Sequence, residues 1–347
     1  MPAGICRRAT PTLSLDLPMT NIQRVGIAGT GMCVPDRVMS NDDFAKIVDT
    51  NDEWITQRTG IKERRWLSDG ENGSDLAVKA AQDAMARAGV TADQIDVIVL
   101  GTISADMRFP ANACLVQERL GAKKAAAFDV SAACTGFLTA LHTAEAFVAC
   151  RRAKVVLAIG VEALSRMVDM TDRGSCIIFG DGAGAAIVRA WDECEQGEIL
   201  KTKLGADGGG CDLIAGPMGG TANWHTSPTY VAEDDFIHLK GREVYRFAVT
   251  KMVKMIKWAI EGHDPDDVCL LVPHQVNMRI IEASLDRLDW SIDRCMLNIE
   301  RYGNTSAASV PIALHEAVEA GRMQKGKLVV LVAFGAGLTW GATLLRW

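Results

Sequence analysis

The sequence predicts an α/β fold made of two copies of one strand–helix unit. Short apolar runs rich in Val, Ile and Leu alternate with helix-like stretches. Such runs suit strands buried on both faces of largely parallel sheets. Three segments also recur in the same order. DVIVL at 96–100 is echoed by DVCLL 171 residues on, SAAC at 131–134 by SAAS 175 on, and KVVLAIG at 154–160 by KLVVLVAFG 173 on. One such pairing is easily accidental, but three in order indicate a duplicated unit. The length, 347 residues, accommodates two domains or one doubled domain.

In chain order, strands are expected at 25–31, 96–102, 125–130, 154–160, 183–188, 267–274 and 327–335, and helices at 74–88, 134–150, 240–261, 278–288 and 306–320. The polar stretch WDECEQG at 191–197 marks the boundary, giving halves at 22–195 and 196–347. Residues 1–21 read as a disordered extension: Arg7-Arg8 is followed by no clean apolar segment, so a secretory signal is not expected. Met19 is a plausible alternative start. No apolar run reaches membrane-spanning length. A net charge of −6 argues against non-specific binding of nucleic acid or anionic membranes. The ten cysteines include no CxxC, which speaks against zinc knuckles and thioredoxin-type chemistry and fits a reducing cytoplasm.

Cys134 sits where a strand ends and a helix begins, among the small residues Ala132, Ala133 and Gly136. Helix-end N–H groups favour a thiolate and can hold an oxyanion, so a lowered thiol pKa is expected. The bland alternative is a buried, inert cysteine. His274 follows an apolar strand, the position at which α/β folds present functional groups, although a lone His is more often structural. Asn304, in RYGNTSAAS, suits a turn that caps the next helix. It also occupies the second-half counterpart of the Cys134 junction, so facing halves would bring Asn304 and Cys134 together. Of the glycine-rich stretches, GIAGTG at 26–31 lacks dinucleotide-fingerprint spacing. GDGAGAA at 180–186 reads as a turn between strands with close backbone packing, and FGAGLTWG at 334–341 can bring N–H groups near a reacting carbonyl.

Taken together, SAACTGF (131–137), TDRGSCIIFGDGAGAA (171–186), VPHQVNMRI (272–280), RYGNTSAASVPIAL (301–314) and AFGAGLTWG (333–341) closely resemble the β-ketoacyl-acyl-carrier-protein synthase III family of the thiolase superfamily, as does NDEWITQRTGIKERR (51–65). The resemblance runs from about residue 22 to the end. It implies a thiolase-like fold, two βαβαβ-type halves in a layered αβαβα core. It also implies a homodimeric, cytoplasmic acyltransferase that loads an acyl group from acyl-CoA onto Cys134 and condenses it with malonyl-acyl-carrier protein. Carried over by position, Cys134, His274 and Asn304 are the catalytic set, and the backbone N–H groups of Cys134 and Ala336 the oxyanion donors. Trp54 and Arg173 would sandwich the coenzyme A adenine, with Arg58 near its phosphates and Asn277 near its pantetheine. Phe109 would reach into the partner subunit's acyl pocket and imply a short primer, and Phe334 lie beside the cysteine. Arg246 and Arg279 would meet the carrier protein. No metal or redox cofactor is implied. Val276 and Ala336 replace the family's usual Ala and Gly and would narrow the thioester channel. Competing readings are a specialised-pathway acyltransferase with another primer or acceptor, a cysteine hydrolase, and a non-catalytic acyl-CoA- or carrier-binding protein.

Overall fold

The computed structural model describes residues 22–347; the extension expected over 1–21 lies outside the described residues. One large sheet contains β1 (Val25–Cys33), β2 (Val97–Gly101), β3 (Ala126–Val130), β4 (Val155–Ala163), β5 (Asp181–Ala190), β6 (Glu198–Ala206), β7 (Val268–Pro273), β8 (Leu328–Gly335) and β9 (Thr339–Arg346). Around it pack α1 (Asp52–Thr59), α2 (Gly73–Ala88), α3 (Asn112–Leu120), α4 (Gly136–Ala149), α5 (Gly241–Ala259), α6 (Met278–Asp286) and α7 (Ser309–Glu319).

The strand order is β7-β8-β9-β6-β1-β5-β4-β2-β3, and it shows the duplication directly. In the first half β2 lies parallel to β3 and β4, then β5 and β1 follow antiparallel. In the second, β7 lies parallel to β8, then β9 and β6 follow antiparallel. An isolated parallel bridge from Leu271 to Cys295 stands where β3 stands in the first half. The halves join through a single β1–β6 pair, Gly26 with Glu198.

Five layers result. α2 covers one outer face, with Leu76, Ala80 and Ala84 against Ile98, Leu100 and Leu157. α4 and α7 form the middle layer, where Phe137, Leu141, Val310 and Leu314 meet strands of both halves. α5 and α6 cover the other outer face, with Met252, Ile256 and Ile281 on Leu271, Val330 and Val332. Each such large apolar side chain contributes about 1.5–3 kcal/mol relative to exposure. The middle layer approaches the first half closely enough to need glycine. A Cβ on Gly184 would stand 2.7 Å from Pro311 Cβ, and one on Gly160 would stand 2.3 Å from the Ala307 carbonyl oxygen.

Two expectations need correction. Residues 180–186 are not a turn, because 181 onward is β5; its glycines serve the close approach of α7. The junction repeat is also in a different register. Ala133 and Ser306 share the same unusual φ of 46° and each opens a single helical turn, Ala133–Thr135 and Ser306–Ala308. The offset is therefore 173, and the counterpart of Cys134 is Ala307.

Candidate active site

Cys134 lies in the short turn between β3 and α4, half-buried. The end of β8 presses on it: a Cβ on Gly335 would be 2.8 Å from Cys134 Cβ and 3.1 Å from its Sγ. Among the described residues, neither the Cys134 nor the Ala336 backbone N–H donates to another residue. The expectation of an acidic thiol is not met in the free protein. Burial pushes the Cys134 thiol up to about 12, and the nearby Glu162 charge adds to this, while the neighbouring Ser306 hydroxyl opposes it. Desolvation outweighs the helix end because the sulfur faces apolar walls and no cation.

His274 directly follows β7 and is fully buried. Burial pushes its imidazole down to about 3, so the ring is neutral near pH 7. Ser309 Oγ stands 2.7 Å from His274 Nδ1 and accepts the Gln275 N–H at 3.0 Å. Among the described residues the Ser309 hydroxyl has no other acceptor, so it donates to Nδ1 and leaves the proton on Nε2. That Nε2 is buried without a hydrogen-bond partner. Phe334 stacks edge-on against the ring at 5.7 Å between centroids.

Asn304 is pinned by its backbone, which exchanges hydrogen bonds with Ile178 (2.9 Å) and Gly180 (3.0 Å). Its Oδ1 accepts the Ser306 N–H at 2.8 Å. A backbone N–H can only donate, so the oxygen must face Ser306 and the amide NH2 is left for other partners.

Cys134, His274, Asn304 and Phe334 line one cavity of about 320 Å³, whose walls also include Trp54, Arg58, Val276, Asn277 and Arg279. A second cavity, of about 810 Å³, meets it at Cys134 and is walled by Ala133, Ser306, Ala336, Leu164 and Met167 among others. The sulfur thus stands between two spaces. The predicted residues are not all placed as expected. The Arg173 guanidinium lies 5.3 Å from the Trp54 ring centre and holds the Asp49 carbonyl; an aromatic ring between them needs about 7 Å, two van der Waals contacts. The Arg58 guanidinium stacks on the same ring at 4.5 Å. Asn277 caps α6, accepting from Arg279 N–H and donating to the Arg58 carbonyl, each at 3.0 Å. Arg246 is exposed on α5. Phe109 lines neither cavity and is 83% exposed.

Residues 128–208 match the family model for 3-oxoacyl-[acyl-carrier-protein (ACP)] synthase III, and residues 259–347 match the model of its C-terminal part. A protein of Xanthomonas campestris named beta-ketoacyl-[acyl-carrier-protein] synthase III is 48% identical over 323 residues, which is 92% of this chain and 98% of that one. The chain belongs to the 3-oxoacyl-[acyl-carrier-protein] synthase III family. A Symbiobacterium thermophilum family member is 48% identical over 94% of this chain and 99% of its own. The crystal structure of the family's Aquifex aeolicus enzyme superposes with a TM-score of 0.85 at 43% identity, covering 93% of this chain and 100% of that one. The priming β-ketosynthase of the R1128 polyketide pathway superposes with a TM-score of 0.87 at 32% identity, covering 96% and 98%. The resemblance read from the motifs and the thiolase-like fold are thereby borne out, and the chain is an acyl-transferring condensing enzyme of this family.

Several residues that shape the site were missed in the sequence. Gly335 and Ser306 lie inside quoted motifs but look like ordinary small residues there. Ser309 acts on a histidine 35 positions away, which no local pattern reveals. Glu162 did leave a signal: it is a carboxylate inside an otherwise apolar buried strand, past the point where the strand was expected to end.

Proposed function

We propose that the chain initiates type II fatty-acid synthesis, transferring a short acyl group, simplest as acetyl, from acyl-CoA to Cys134 and condensing it with malonyl-acyl-carrier protein. The observation that supports this most directly is the shared cavity, whose walls include Cys134 and two side chains able to donate, His274 and Asn304. In the first half-reaction the sulfur attacks the thioester carbon, and the N–H groups of Cys134 and Ala336 receive the oxyanion as coenzyme A leaves. In the second, malonyl carboxylate departs as CO2 and its electron pair forms a thioester enolate. The enolate oxygen accepts from His274 and Asn304. Each such preorganised donor is worth about 10²–10³ in rate. The carbanion then attacks acyl-Cys134 and releases a β-ketoacyl-acyl-carrier protein. Electrons balance without a redox cofactor, and the two N–H pairs do the work a metal would do, so none is invoked.

For substrate entry, Trp54, Arg58, Arg173 and Asn277 take coenzyme A, with Arg173 swinging off Trp54 to admit the adenine. Asn277 keeps one amide N–H for pantetheine. Arg246 and Arg279 meet the acidic carrier protein. Val276 and Ala336 narrow the passage, and Phe109 from a second copy closes the acyl pocket. A homodimer is supported by the free edge of β3 at the end of the sheet and by the exposure of Phe109, since open edges and large bare aromatics invite a partner. The work is assigned to the cytoplasm, with halves at 22–195 and 196–347. No helix of the described residues is long and apolar enough to cross a membrane.

Likeness to the R1128 priming enzyme favours one second reading, a specialised pathway with another primer. Mass spectrometry of Cys134 after mixing with a panel of acyl-CoAs, followed by malonyl-acyl-carrier protein, tests both. Acetyl loading and a β-ketoacyl product support the main reading. Loading restricted to other acyl groups, or transfer to an oxygen or nitrogen acceptor without carrier protein, overturns it.

A further inference from the structure

The geometry leaves one proton unaccounted for. The Cys134 thiol must lose its proton to form the acyl thioester, yet His274 Nε2 already carries one and an amide such as Asn304 is not a base. On the other side of the sulfur lies a group with no assigned task. Glu162, on β4, is fully buried in the middle of the molecule. Its Oε1 stands 3.1 Å from Ser306 Oγ. Ser306 in turn shares a cavity wall with Cys134 and is among the groups that act on its thiol. Ser306 is held at a φ of 46°, a strained backbone of the kind that gathers at functional sites.

We propose that Glu162 receives the Cys134 proton through Ser306 during acyl loading. The S–H pair stays on sulfur and becomes the new S–C bond. The thiol proton passes to Ser306 Oγ, and the Ser306 hydroxyl proton passes to Glu162 Oε1. When the C–S bond to coenzyme A breaks, the Ser306 hydroxyl donates its proton to the departing thiolate and takes the one held by Glu162, which restores the carboxylate. One negative charge is present throughout: it passes from the carboxylate to the Cys134 sulfur, to the oxyanion, to the coenzyme A sulfur and back to the carboxylate, and is never doubled.

The surroundings suit an acceptor that titrates near neutrality. Thr102 Oγ1 at 3.3 Å, Ile103 N–H at 3.2 Å and Ser104 Oγ at 2.5 Å all donate to Oε2. No cation faces it among the described residues. Asp181, from β5, pairs with Ala163 rather than with Glu162 and turns to the other face, binding Leu67 and Ser165. On the middle-layer helices, His142 pairs with Glu145, and His315 with Thr30 and Asp83. Cys134 is the titratable group that remains beside it. Burial raises the Glu162 carboxyl to about 7, against the pull of its donors, so it can both take and return a proton.

The proposal rests on Cys134 as the acyl carrier, but its test does not need acyl-CoA. Alkylation of Cys134 by iodoacetamide, followed by mass spectrometry across a pH series, should rise in the wild type as Glu162 ionises near pH 7. In Glu162→Gln the neutral-pH rate should fall by at least about a hundredfold, the scale of a lost proton acceptor, with reactivity recovered only near the thiol's own ionisation. Ser306→Ala, which leaves the carboxylate in place, should do the same and serves if the Gln variant does not fold. A purely structural Glu162 would lower the rate equally at every pH. That outcome, or a wild-type profile in both variants, overturns the relay. Failure of acetyl-CoA to load the wild type would instead count against the proposed synthase reaction and leave the alkylation result intact.

Discussion

The site works through atoms whose hydrogen positions are fixed by neighbours. Ser309 directs the His274 proton to Nε2, and the Ser306 N–H forces the Asn304 amide to turn its NH2 away. In the proposed mechanism both side chains therefore act as donors in the condensation step and have no part in loading. Asn304→Ala should lower the condensation rate of pre-acetylated enzyme about 10²–10³-fold and leave the acetyl-loading rate of Cys134 near wild type. Separate single-turnover measurements of the two half-reactions check this, and an equal loss in both would contradict the division of labour. The burial of His274 also has a stability consequence. Its folded pKa, about 3, lies below its unfolded value of about 6.5. The unfolded chain therefore binds more protons in between, and stability present above the unfolded pKa is lost as pH falls toward the folded one. Glu162, whose carboxyl is raised to about 7, has the opposite linkage over part of this range, so the His274 contribution is read as a difference. In urea unfolding, the stability of the wild type relative to His274→Gln, which cannot take up that proton, should fall as pH drops below about 6.5.

At the scale of elements, the site depends on how closely β4 and β8 approach the two helix junctions. Gly160 lets β4 lie against the Ala307 carbonyl, and Gly335 lets β8 end on Cys134. In Gly160→Ala the new Cβ meets a backbone oxygen that has no rotamer to yield, so the turn carrying Ser306 must shift. We expect a loss of about 1–3 kcal/mol in denaturant unfolding, with slower loading of Cys134. Unchanged stability would mean that the turn is freer than its contacts indicate. These contacts also explain what the sequence revealed. Unbroken apolar runs such as VVLAIG and LVVLVAFG announced β4 and β8, and their repetition announced the doubled fold. β6 and β9 were not foreseen, because two lysines and a threonine interrupt β6 and Trp340-Gly341 looks like loop. The register of the repeat slipped by two because SAAC and SAAS match as letters, while the backbone aligns Ala133 with Ser306. Cys134, His274 and Asn304 were legible as motif residues. Ser309 was not, and Glu162 showed only as a carboxylate in an apolar strand, since their roles depend on contacts that the fold alone brings about.

At the scale of the whole molecule, the charge is uneven. The chain carries a formal charge of −6, yet Arg58 and Arg279 line the narrower cavity and Arg246 is exposed on α5, which contributes Val244, Tyr245 and Phe247 to the same cavity. An acidic carrier protein would be repelled by the molecule at a distance and attracted at this mouth, which favours one approach direction. Reversing the local charge should therefore act on encounter and leave chemistry alone. Arg246→Glu, at a position that is exposed and lines neither cavity, should raise KM for malonyl-acyl-carrier protein about tenfold at low salt, equivalent to about 1.4 kcal/mol, with kcat little changed. The difference from wild type should shrink as ionic strength rises and the Debye length falls below about 8 Å. Acetyl loading from coenzyme A, measured on the same variant, should stay at the wild-type rate. A matching loss in loading would place the effect on the fold or the cysteine, and an insensitivity to salt would show that Arg246 contributes no steering.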